Sequence, residues 1–84
     1  MTTNPISERQ ALELLAEVLA EPIENLRPDT PRDSLSGWDS MGALMLMAAL
    51  DEKFGVELTA DESLQMETIA DALTFMRTKR IIAN

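Results

Sequence analysis

Between Met41 and Leu50 every residue except Gly42 is Ala, Leu or Met, and no charge interrupts the chain from Ser40 to Leu50. The run is half as long as a bilayer span and longer than most buried strands, which leaves a helix that is apolar on more than one side. Ala43, Leu46, Met47, Leu50 and Phe54 recur at i, i+3, i+4, i+7 and i+11, the seam that a helix packs against its neighbours. Met41, Leu44, Met45 and Ala48 form a second stripe on the other side. In a chain of 84 residues one helix is seldom enclosed all round. Part of the second stripe is therefore expected to face solvent, as a Met-rich surface able to adapt to a partner. The alternative is that the loop ahead of the helix folds over it.

Three further helices frame this one. Ser7 to Glu21 carries Leu12, Leu15, Ala16 and Leu19 at helical spacing, with Ser7 and Gln10 placed as a capping box and Pro22 as the stop. From Pro22 to Asp39 three prolines and Gly37 break every period, giving a long loop in which Ile23, Leu26 and Leu35 are the residues able to dock on a core. Asp39 is placed to cap the apolar helix, expected over 40–54 before Gly55. Thr59 and Glu62 form a second capping box ahead of a short helix over 60–65. Thr68 and Asp71 open a last helix over 68–81, with Ile69, Ala72, Leu73 and Met76 as its stripe and Arg77, Lys79 and Arg80 complementing its C-terminal dipole. No strand-period segment rivals these. The expected fold is all-α: one domain over 1–84, a four-helix bundle of three main helices and a short third, with a long first loop.

Composition then narrows the chemistry. Fifteen acidic residues against seven basic ones give a net charge of −8, which repels nucleic-acid phosphates and anionic membrane surfaces. The chain has no Cys, His or Tyr, so disulfides, thiolate nucleophiles, His-Cys zinc sites and an imidazole base are all excluded. No catalytic residue is assigned. Asp29, Asp33 and the Asp61-Glu62 pair lack the ligand spacing of a calcium loop, and no metal site is expected. Residues Met1 to Pro5 carry no basic n-region. The expectation is a soluble, cytoplasmic monomer.

The feature that carries chemistry is Gly37-Trp38-Asp39-Ser40-Met41, which sets a hydroxyl in the first turn of the apolar helix directly after the loop. A phosphate on that side chain would meet unpaired N–H groups and the positive end of the helix dipole. On position alone, Ser40 or Asp39 acting merely as a cap is the better explanation, and position does not decide the matter. A lone Trp beside Gly reads first as a structural plug, so Trp38 is not taken as a site residue.

The whole pattern resembles the acyl carrier protein family, which includes aminoacyl and peptidyl carriers. The order of helices, the Pro-containing loop and the Asp39-Ser40-Met41 triplet, similar to the family's Asp-Ser-Leu signature, carry the resemblance over nearly the entire chain, as does Leu50 through Phe54 to Val56 and Leu58. The resemblance implies that Ser40 accepts a 4′-phosphopantetheine arm from coenzyme A, delivered by a separate, magnesium-using phosphopantetheinyl transferase. Asp39 and Met41 would complete the attachment motif. The arm's thiol would carry an acyl or related intermediate as a thioester among loading, condensing or transferring enzymes. The missing cysteine then has an explanation, because the reactive thiol is imported.

The resemblance also leads one to expect acids along the exposed side of this helix, where Gly42 and Met45 stand instead. Recognition by apolar contacts is expected, through Met41, Leu44, Met45 and Ala48 with Asp39, Asp51 and Glu52 as a charged rim, in a specialised polyketide, lipid, aminoacyl or cell-envelope pathway. The competing reading is an unmodified helical adaptor whose Met-rich face receives a partner's helix. Leu46, Met47, Phe54, Met66 and Leu73 are placed either to shelter cargo or simply to form the core, and core is the reading preferred.

Overall fold

The computed structural model describes residues 4–83. Four helices follow in order: α1 (Glu8–Leu19), α2 (Ser40–Phe54), α3 (Ala60–Gln65) and α4 (Ile69–Thr78). The all-α architecture is the expected one. Capping boxes open α1 at Ser7 and Gln10, α3 at Thr59 and Glu62, and α4 at Thr68 and Asp71, each satisfying two otherwise orphaned N–H groups. No helix among the described residues is long and apolar enough to cross a membrane.

Helix ends differ from the sequence reading for a definable reason. α1 stops at Leu19 rather than 21, because Ala20 takes a left-handed conformation (φ 55°). The N–H of Glu21 then donates to Ala16 O (3.0 Å) and that of Ala20 to Glu17 O (3.3 Å), a Schellman closure made without glycine. α4 ends at Thr78 rather than 81 by the same device, with Arg80 at φ 64° and the Ile81 N–H returning to Met76 O at 2.8 Å. Ile81 and Ile82 are buried. Ile82 forms a parallel bridge with Ile6, secured by Ile6 N–H to Ile81 O (2.8 Å) and Ala83 N–H to Ile6 O (2.9 Å). Arg77 does not sit idle at the helix end; it pairs with Glu8 at 2.8 Å.

The core joins Leu15, Leu19, Leu46, Leu50, Ile69 and Met76, all essentially without exposure. On α1 the buried line is Ala11, Leu15 and Leu19, so the helix is rotated from the expected stripe and leaves Leu12 and Ala16 only partly buried. On α2, Ala43, Leu46 and Leu50 are buried as expected, whereas Met47 and Phe54 are only partly covered and Gly42 joins the interior. Ile69, Ala72, Leu73 and Met76 of α4 are all buried.

The long loop is ordered by burial and by backbone pairing. Two short 3-10 turns, Ile23–Asn25 and Arg32–Ser34, bracket its middle, and Leu26, Leu35 and Trp38 enter the core. Ile23 remains half-buried. The loop is stitched to the start of α4: Arg32 N–H donates to Glu67 O (2.8 Å), Ile69 N–H to Thr30 O (3.1 Å) and Ala70 N–H to Pro28 O (2.8 Å). Two free N–H groups in the first turn of α4 thus find acceptors in the loop.

Candidate functional site

Backbone contact places the entrance to α2. A Cβ on Gly37 would overlap the carbonyl of Leu19, and a Cβ on Gly42 would overlap the carbonyl oxygen of Gly37. The end of α1, the loop and the first turn of α2 are therefore pressed together where only glycine fits. Glu21 fastens the stack: its Oε2 accepts from Gly37 N–H at 2.8 Å and from Ser36 Oγ at 3.3 Å. Gly42 is not the vacant surface position expected from the resemblance. An acidic side chain there, or any side chain, would have to displace the Gly37 backbone.

Trp38 follows as a plug, 3% exposed, with its N–H donating to Leu35 O at 3.0 Å. Its indole Nε1 has no acceptor among the described residues. Asp39 is the cap, its Oδ1 accepting from Gly42 N–H at 2.8 Å and its carbonyl from Ala43 N–H at 2.9 Å. Ser40 is the first residue of α2 and exposed. Because Asp39 occupies the capping role, the Ser40 hydroxyl is left uncommitted to the protein among the described residues.

Beside Ser40 lies a cleft of about 300 Å³ between α2 and α3. Ala43, Leu44 and Met47 form one wall and Ala60, Ser63 and Leu64 the other, with Arg32 as the only charged residue lining it among the described residues. Arg32 Nη1 donates to Ser63 O (2.8 Å) and Met66 O (3.4 Å), and its guanidinium lies 5.1 Å from the centre of the Trp38 ring. Ser63 is 3% exposed and its Oγ has no partner among the described residues.

The apolar stripe is open to solvent, and the loop does not cover it: Met41 is 63% exposed, Leu44 58% and Met45 51%. Leu44 faces the cleft with Ser40, whereas Met45, Ala48 and Glu52 line a groove of about 270 Å³ with Glu17 and Val18 of α1. Asp51 is exposed and lines neither. Of the residues weighed as a cargo shelter, Leu46, Met66 and Leu73 are core, while Met47 borders the cleft and Phe54 is half-buried. Sequence reasoning missed Arg32, Ser63 and Leu64. The signals were there: Arg32 is the lone cation between Pro28 and Lys53, and Leu64 interrupts a polar helix.

An exposed, unbonded hydroxyl at a helix entrance, flanked by a cleft with one cation in its wall, fits an arm attached through a phosphate. Comparison with known proteins agrees. The family model described as "Phosphopantetheine attachment site" matches residues 9–76. The chain is 30% identical over 66 residues to an acyl carrier protein of Thermosynechococcus vestitus, covering 79% of this chain and 82% of that protein. It is 28% identical over 68 residues to that of Solidesulfovibrio magneticus (81% and 87% coverage) and 27% over 82 residues to that of Acidothermus cellulolyticus (93% and 98%). Members of this group carry covalently attached 4′-phosphopantetheine and are in general carriers rather than catalysts. With an attachment-site match spanning most of its length, the chain belongs to the acyl carrier protein family.

Proposed function

We propose that Ser40 is the attachment residue and that the chain acts as a single carrier domain in a specialised biosynthetic pathway. The observation that carries this reading is the division of labour at the α2 entrance: Asp39 caps the helix, so the neighbouring hydroxyl is exposed and free to react. In loading, the Ser40 oxygen attacks the pyrophosphate of coenzyme A. An O–P bond forms to Ser40, the P–O bond to the adenylate side breaks, adenosine 3′,5′-bisphosphate leaves, and the serine proton passes to a base. In this reading the base and its magnesium belong to a separate transferase, consistent with a chain that carries neither His nor Cys. When bound, the arm supplies a thiol that holds acyl or related cargo as a thioester.

The partners of this reading are a phosphopantetheinyl transferase and the loading, condensing or transferring enzymes of one pathway, met by the protein as a cytoplasmic monomer. Recognition runs through Met41, Leu44, Met45 and Ala48, with Asp39, Asp51 and Glu52 supplying a charged rim. Exposure of three large apolar side chains on one helix supports apolar rather than purely electrostatic recognition. The same exposure favours a second reading, an unmodified adaptor. Intact mass before and after incubation with coenzyme A, magnesium and a broad-specificity transferase separates the two. A single phosphopantetheinyl increment on wild type and none on Ser40→Ala is expected. A gain in both proteins would move the site to another residue, and none in either, with a transferase proven on another carrier, would favour the adaptor.

A further inference from the structure

We propose that Arg32 holds the phosphate of an arm on Ser40, so that the loop ahead of α2 supplies the counter-charge for the attachment linkage. The inference rests on the proposed attachment at Ser40. Arg32 and Ser40 line one cleft, and among the described residues Arg32 is the only charged one in its wall. Arginine has five N–H donors in a planar fork. Here only Nη1 is committed, to Ser63 O and Met66 O, which leaves Nε and Nη2 without acceptors among the described residues. Among the described residues no carboxylate pairs with it, although the chain carries fifteen acids; Arg9 and Arg77 do find acidic partners, in Glu13 and Glu8.

The side chain is already held. Its guanidinium lies against Trp38, itself buried, and is anchored to the carbonyls at the end of α3. A phosphodiester arriving at Ser40 would thus meet a half-buried cation whose rotamer entropy has been spent in folding, in a setting where charge-assisted hydrogen bonds are stronger than in open water. Ser63, with its unpartnered buried Oγ in the same cleft, adds a second polar group for a ligand there.

The test compares apo and loaded forms of wild type, Arg32→Lys and Arg32→Gln. In ¹⁵N-labelled wild type, the Arg32 side-chain N–H signal, assigned by its loss in Arg32→Lys, should move on loading. Loading should also raise the Tm of wild type, and that gain should be lost in Arg32→Gln and partly kept in Arg32→Lys. A purely structural Arg32 would lower the Tm of both forms equally and leave the gain unchanged, which overturns the proposal. Should Arg32→Gln fail to fold, the wild-type signal decides alone: if it stays in place on loading, the proposal fails. A wild type that gains no mass removes the attachment reading and this inference with it, whereas a loaded wild type with an unmoved Arg32 removes only this inference.

Discussion

Replacing Gly42 with alanine sets two effects of opposite sign against each other. Helix propensity favours the change by up to about 1 kcal/mol, since Gly42 lies in the first turn and a half of α2. Packing opposes it. The new Cβ would sit roughly 1 Å inside the 3.0 Å floor for such contacts with the Gly37 carbonyl oxygen, and 3.3 Å from Leu19 Cδ2. The obstructing atom is backbone, and Gly37 cannot retreat because it rests on the Leu19 carbonyl and is tied to Glu21. Overpacking of this kind costs about 1–3 kcal/mol or more, so packing outweighs propensity and the net loss is about 1–2 kcal/mol. For a domain of this size that is a fall in Tm of about 5–15 °C. Thermal and urea denaturation should agree, with the urea midpoint lowered and the slope unchanged. Gly42→Asp should be worse. A Tm above wild type for Gly42→Ala, as propensity alone requires, would refute the interlocked glycines.

Other outcomes follow from single contacts. Ala20→Gly should stabilise the protein by about 1 kcal/mol in urea denaturation, because the left-handed residue closing α1 carries a Cβ for no packing gain. Asp39→Ala should cost about 1 kcal/mol through loss of the α2 cap, while Asp39→Asn keeps stability and isolates the effect of its charge on transferase loading. Met45→Glu should fold as wild type yet change the rate of reaction with native partner enzymes; unaltered rates would count against apolar recognition. Glu62 is held below its ordinary carboxylate range, chiefly by hydrogen bonds from the backbone and then the side chain of Thr59, helped slightly by Lys79 and opposed by desolvation. Because the folded value is the lower one, its contribution is complete above the unfolded value and is lost as pH falls through the folded one. An NMR titration should find its midpoint below the roughly 4.3 of an unstructured glutamate.

Local signals read from the chain did well where the physics is local. The capping pairs Ser7–Gln10, Thr59–Glu62 and Thr68–Asp71 are each made by residues three apart, so they are legible without tertiary knowledge. The α4 stripe was equally plain. What escaped depends on distant partners. Ala20 and Arg80 end their helices in a conformation their side chains disfavour, which nothing in their neighbourhoods announces. Ile81 and Ile82 continue an apolar pattern that looks helical until Ile6 captures them. Gly42 reads as a missing acid, and only the approach of Gly37 reveals it as a packing requirement. At the site, Asp39 and Ser40 were visible as a motif, whereas Arg32 reaches the cleft from a loop turn whose placement follows from its pairing with the start of α4.

The pairing of Ile6 with Ile82 has a consequence for how the molecule can be handled. Both ends of the described chain leave from the start of α1, whereas Ser40 stands next to the end of α1, where Leu19 meets Gly37 and Gly42. Twelve helical residues, about 18 Å of axial rise, separate those two poles. A tether, fluorophore or surface linkage placed beside the Ile6–Ile82 bridge would therefore sit at the pole opposite Ser40, leaving that end of the bundle free to be approached while the molecule is held from behind.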